Sequence, residues 1–207
     1  MESGRINRQG TFANLAADKQ RAVLAAATKE FARQGYSRAS VNVIVREAGI
    51  SKGSLYQYFA NKEALFSFVF SGFRQKVKEM VKSLAAQGDF FILIGQVLRA
   101  GVTFVDRYPD YFQIYLKILF DEDVPGREEL LGQVRLFSVD YFGDLCQMAQ
   151  RKGLLRGDVA LESLIFLLDA AIDRFLQDYA RGDVADPEGP IDDLTKMLHQ
   201  AMAVGRR

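Results

Sequence analysis

Two short amphipathic runs joined by one glycine, Ser40–Gly49 and Ser51–Phe59, constrain the fold of this chain more than any other feature. In the first, Val41, Ile44, Val45 and Ala48 recur at the i, i+3, i+4, i+7 spacing of one helical face, and Gly49 accepts the left-handed conformation that ends a helix. In the second, Ser51 suits an N-cap, and Leu55 and Phe59 are i, i+4 partners that turn the same way. Two helices of about two turns around a glycine turn form a helix-turn-helix unit. With Leu55 and Phe59 turned inward, the other side of the second helix carries Lys52, Gly53, Ser54, Tyr56, Gln57 and Tyr58. That face is too aromatic for open solvent and too polar for a core. It suits the DNA major groove: the small residues permit close approach, Lys52 and the tyrosine hydroxyls can reach phosphates, and Gln57 can read a base edge. Periodicity alone also fits a core helix pair with a tyrosine-bearing exterior.

The remaining sequence is helical throughout. Periodic segments are predicted over Asp18–Gln34, with Asp18 as N-cap and Gly35 at the C-terminal end, and from an Asn61 cap through Leu65, Phe66, Val69 and Phe73 to near Lys82. Further helices are expected over Phe90–Asp106, Pro109–Phe120, Arg127–Arg151, Val159–Arg181 and Ile191–Val204, with the Asp186–Pro190 segment as a loop. Strand-like alternation is absent, so the expected fold is all-α. The net charge of +1 hides an asymmetry: residues 1–70 carry ten Lys/Arg against five Asp/Glu, and residues 71–207 seventeen against twenty-one. A basic N-terminal part facing a polyanion is the simplest reason. A single cysteine, Cys146, excludes an internal disulfide, and the N-terminus has no apolar run of the signal type. No apolar run approaches a membrane span, and a cytoplasmic location without membrane partners is expected.

The stretch Gly35–Phe66, GYSRASVNVIVREAGISKGSLYQYFANKEALF, resembles the DNA-binding region of the TetR family of bacterial transcriptional regulators. Its signature, GISKGSLYQYFANKEALF, is continuous over 18 residues, Gly49–Phe66. The resemblance covers about the first third of the chain. It implies a three-helix helix-turn-helix head at the N-terminus and a helical ligand-binding and dimerisation domain behind it. The corresponding boundaries are a basic flexible arm over 1–16, a DNA-binding domain over 17–63 and an effector-binding and dimerisation domain over 64–207. It further implies phosphate contacts from Ser40 and Lys62, and a recognition helix supplying Lys52, Gly53, Ser54, Tyr56, Gln57 and Tyr58. Val43 and Ala39 depart from the polar residue and the threonine common at those places, so neither is given a DNA role. Arg5 and Arg8 could enter a minor groove, or the arm could simply be solvated.

The segment Leu161–Tyr179 is apolar on more than one face: Leu164, Ile165, Leu168, Ile172, Phe175 and Leu176 form a stripe that Phe166, Leu167, Ala170 and Ala171 widen. One stripe suffices for a helix of a monomer, so the surplus indicates a subunit interface or deep burial. The interface reading is a four-helix bundle with the last helix, through Leu164, Leu168, Ile172, Phe175, Leu194 and Leu198. In the family, pairing through the last two helices is usual. The resemblance also implies an effector pocket in the central helices; Phe104, Tyr108, Tyr111, Phe112, Tyr115, Phe142 and Phe166 are its candidates, favouring an apolar or aromatic small molecule. Asp169 and Asp173, one turn apart, could meet a cationic effector or be solvated. The only histidine, His199, has no ligand-spaced partner, Cys146 has no base, and the Asp121–Asp123 cluster fits a solvated loop. No metal, cofactor or catalytic site is expected. The partners expected are a double-stranded DNA operator, a second copy of the chain and a small effector; the alternative is an adaptor whose C-terminal part docks another protein.

Overall fold

Side-chain caps and glycines set several helix ends. The computed structural model describes residues 12–84, 89–120 and 123–204, without the side chains of 137 and 138. Nine helices run through the described residues: α1 Ala17–Arg38, α2 Val41–Glu47, α3 Lys52–Tyr58, α4 Lys62–Lys82, α5 Phe90–Arg107, α6 Pro109–Phe120, α7 Arg127–Arg151, α8 Leu161–Arg181 and α9 Glu188–Met202. The only extended pairing among them is an isolated antiparallel bridge between Leu155 and Ala203. The all-α expectation holds. Asn61 Oδ1 accepts the Ala64 N–H at 2.8 Å at the start of α4, and Gly49 sits at φ 65° between α2 and α3. Asp18 is not the cap of α1. Ala16 holds that position, and Asp18 lies in the first turn, paired with Arg21. The Asp186–Pro190 loop is also shorter than expected, because α9 starts at Glu188. Pro190 fits inside the first turn, where its missing N–H has no intrahelical acceptor.

The chain divides into two compact units. The first contains residues up to Gln75 together with Asp110–Arg127; the second contains Lys76–Pro109 and Glu128–Arg207. The sequence places one break near residue 63, whereas this division runs inside α4 and puts α6 in the first unit. Aromatic packing accounts for that: the Phe73 and Tyr115 rings stack at 5.4 Å, and Gly72 leaves the space in which the Tyr111 hydroxyl lies. The core of the first unit joins Val23, Ala27 and Phe31 of α1 to Ile44, Leu55, Leu65, Phe66 and Val69. Phe12 belongs to it as well. Its ring is buried against Tyr58, Phe59 and Phe68, with centroids 5.7, 5.0 and 5.3 Å away, so the flexible arm expected over 1–16 does not extend to Phe12. Arg5 and Arg8 lie outside the described residues, as do Asp121 and Glu122.

In the second unit α5 packs against α8 and α9. At the α5–α8 crossing a Cβ on Gly101 would lie 2.7 Å from Leu176 Cδ1, closer than carbon atoms can approach. The stripe Leu164, Leu168, Ile172 and Phe175 faces this unit's own core, joined by Leu198 of α9, with Leu194 partly buried beside them. Leu164, Leu168, Ile172, Phe175 and Leu198, expected at a subunit interface, are thus buried in their own chain and keep little surface for a second copy, while Leu194 is only partly buried. The surplus face points outward instead, with Phe166 74% exposed, Leu167 38% and Met197 of α9 58%. Phe166 accordingly lines no interior space. Of the two open readings, deep burial fits the first stripe and an unpartnered apolar face fits the second.

Candidate nucleic-acid interface

The position of α3 follows from its inward residues. Leu55 is 1% exposed and Phe59 2%, and together they fix which side of the helix is left outside. Ser51 caps the start: its Oγ accepts the Ser54 N–H at 3.0 Å and lies 2.8 Å from the Ser54 hydroxyl. Upstream, the Ile50 N–H donates to the Val45 carbonyl at 3.0 Å, which ties the turn to α2. The outer face then presents Lys52, Gly53, Tyr56 and Gln57, all exposed, with Ser54 half-buried. Lys52 makes no hydrogen bond or ion pair among the described residues, so its ammonium is free for an anion. Tyr58 differs from Tyr56: half-buried, it sets its ring edge-on to Phe12, and part of its surface already belongs to the core.

The start of α2 is held by an internal acid. Glu30, 5% exposed, accepts the Ser40 N–H on Oε1 at 3.0 Å and an Arg33 N–H on Oε2 at 3.2 Å. Ser40 itself makes no side-chain capping bond, so its half-buried hydroxyl is uncommitted at the N-terminus of α2. Lys62 behaves otherwise than the resemblance implies. Its Nζ donates to the carbonyls of Tyr36, Ser37 and Ala39 at 2.8, 3.1 and 3.3 Å and lies 4.5 Å from the centre of the Tyr36 ring. A lysine has three N–H donors, and all three are committed inside the head. A phosphate contact of the kind the resemblance implies for Lys62 would compete with these three bonds. Glu63 and burial together push the Tyr36 hydroxyl pKa up, burial being the larger cause. Glu30 and these three carbonyls are what sequence reasoning missed: a glutamate and a lysine at helix positions show nothing of partners ten and some twenty-five residues away.

The expected effector residues divide between the units. Tyr111, Phe112 and Tyr115 belong to the first, where the Phe112 and Tyr115 rings lie 5.7 Å apart. Phe104, Tyr108 and Phe142 belong to the second, with Phe104 and Phe142 buried and the Phe104 ring 5.3 Å from that of Tyr108. Lys76 Nζ lies 4.2 Å over the Tyr108 ring. A groove of about 550 Å³ runs between α5 and α9 beside Phe91, Gln96, Arg99, Lys196 and His199, and none of the expected aromatic residues lines it. Arg99 is held there by Glu188 at 2.9 Å and Asp192 at 2.8 Å. Asp173 accepts from Gln177 at 2.7 Å and Asp169 is half-buried, an arrangement of ordinary helix-surface carboxylates. Among the described residues no group of three or more His, Cys, Asp or Glu side chains could hold a metal ion, and no helix is long and apolar enough to cross a membrane.

Comparison with known proteins agrees with this geometry. Residues 23–68 match the family model described as bacterial regulatory proteins, tetR family, a span that runs from α1 through α2 and α3 into α4. The probable acrEF/envCD operon repressor of Escherichia coli K12 is 22% identical over 196 residues, covering 84% of this chain and 88% of that protein. The transcriptional repressor AcnR of Corynebacterium diphtheriae is 25% identical over 182 residues, 87% of each chain. A crystal structure of a TetR family transcriptional regulator from Chloroflexus aurantiacus J-10-fl superposes with a TM-score of 0.74 at 27% identity, over 96% of this chain and 98% of that one. An exposed Lys-Gly-Tyr-Gln face on a capped second helix, within a helical chain that matches these regulators along most of its length, places it among DNA-binding transcriptional regulators rather than enzymes: the chain belongs to the TetR family.

Proposed function

We propose that this regulator is a repressor that binds a two-fold symmetric operator as a homodimer and leaves it when a small apolar or aromatic effector binds. The observation that carries the DNA contact is the outer face of α3, where Lys52, Gly53, Tyr56 and Gln57 are exposed while Leu55 beneath them is buried. Lys52 and the Tyr56 hydroxyl meet phosphates, Gly53 lets the backbone approach the groove edge, and Gln57 reads a base. Ser40, with its hydroxyl uncommitted at the start of α2, adds a phosphate contact. Ser54 and Tyr58 contribute surface, each already partly engaged within the head.

Homodimerisation explains the outward apolar face of α8 and α9. Phe166, Leu167 and Met197 stand exposed there, and a second copy related by a two-fold axis would cover the same face on both chains. Two recognition helices roughly 34 Å apart then reach successive major grooves on one side of the duplex. An effector releases the dimer only if it binds the DNA-free conformation more tightly. Aromatic side chains of the second unit such as Phe104, Tyr108 and Phe142 favour an apolar or flat partner.

In-vitro selection from random duplexes with the full chain tests the reading. It should return one sequence with inverted half-sites about one helical turn apart. Recovery of no enriched sequence would refute the DNA assignment, and a single asymmetric half-site would refute the dimer. A small-molecule screen reading both thermal stabilisation and duplex release tests the effector. Stabilising compounds that never release the duplex would leave the adaptor reading in its place.

A further inference from the structure

The placement of Lys62 is electrostatically odd for its own helix. It is the first residue of α4, where the helix dipole favours anions, as its neighbour Glu63 illustrates. The charge instead serves the far end of α1. Gly35, at φ 74° and ψ 176°, breaks that helix before its last residues, and the carbonyls beyond it have lost their regular intrahelical donors. Lys62 Nζ gathers three of them, those of Tyr36, Ser37 and Ala39, within 3.3 Å, and rests on the Tyr36 ring. The next residue along, Ser40, is gripped from the opposite polarity, its N–H donating to the buried Glu30 carboxylate at 3.0 Å. The segment 36–40 delivers the first helix of the DNA-reading pair, and two charged side chains from α1 and α4 fix it.

We infer that Lys62 is a positioning residue for DNA binding, a clamp that fixes the 36–40 segment and thereby the docking angle of α2 and α3, and not a phosphate ligand. The inference rests on the DNA-binding reading above. It makes Lys62 and Lys52 separable, because a phosphate ligand releases a counterion on binding and a clamp does not. Arginine is the sharper substitution. It keeps the charge and binds phosphate at least as well, but a planar guanidinium cannot aim its donors at three converging carbonyls as an ammonium can.

The experiment uses the highest-affinity duplex that the wild-type full chain selects from a random library, with affinity measured from about 50 to 200 mM KCl. Lys62→Arg is expected to bind that duplex at least about tenfold more weakly, the scale of one lost hydrogen bond from a charged donor, with the wild-type salt slope. Lys62→Met, which keeps the apolar stem over Tyr36, should weaken binding further, again at unchanged slope. Wild-type affinity in Lys62→Arg would overturn the inference, as would a salt slope in Lys62→Met lower by about 0.9 per subunit. If Lys62→Met does not fold, the arginine variant alone decides. Failure of the wild-type chain to select any duplex is a different outcome and refutes the DNA reading itself.

Discussion

Lys52 and Lys62 each open a helix, and they use their charge in opposite ways. Lys52 is exposed with no partner among the described residues, while Lys62 gives its three donors to carbonyls. Lys52→Ala should therefore lower the salt slope of operator binding by about 0.9 per subunit, weakening all duplexes alike. Gln57→Ala should act by sequence, costing about 1–3 kcal/mol on the selected operator and relaxing preference at one base-pair position; competition with single-base variants reads this out. At Cys146, burial pushes the thiol pKa up to about 12, so the reactive thiolate is scarce at neutral pH. Iodoacetamide at about pH 8 should leave the folded protein unmodified and react fully once it is unfolded; rapid native labelling would contradict the buried position. The outward residues of α3 were legible in the sequence because Leu55 and Phe59 define the inward side. The partners of Lys62, Glu30 and Tyr58 were not, since each depends on which distant atoms the fold brings near.

At the level of helices, end signals carried most of the information. Ser51, Asn61 and Gly49 read correctly because capping and positive φ are local requirements that distant contacts seldom overturn. Ser51→Ala should cost about 1 kcal/mol and act on α3 first, seen as faster amide exchange at Leu55–Tyr58 before any change in global melting. Periodicity served less well where a helix has two apolar faces. On α8 it marked both the Leu164–Phe175 stripe and the Phe166–Leu167 face but could not say which one meets the chain's own core. The choice depends on α5 and on Gly101, which lets Leu176 approach closely. Gly101→Ala should destabilise the protein by about 1–3 kcal/mol, read as a lower urea midpoint, and Leu176→Ala in the same chain should recover part of the loss. Equal stability of Gly101→Ala and wild type would contradict the close crossing.

For the molecule as a whole, the uneven charge of the sequence agrees with the position of the reading helix. The basic stretch 1–70 contains α1 to α3, and the acidic remainder contains the α8–α9 face proposed for the second copy. Phe166→Glu should yield a folded monomer by sedimentation and lose cooperative operator binding, because a charge placed in a dry, two-fold interface faces its own copy. A dimer that survives this change would move the interface elsewhere. The central claim, that the outer face of α3 reads DNA, is tested most directly by one comparison on the selected duplex: wild type against Lys52→Ala, Tyr56→Ala and Gln57→Ala combined, three exposed residues that spare Leu55 and Ser51. With helicity and melting unchanged, the variant is predicted to fall to non-specific affinity, a loss on the order of 10³-fold. Binding within about twofold of wild type would contradict the account, since a loss below one base contact's worth leaves that face no part in recognition.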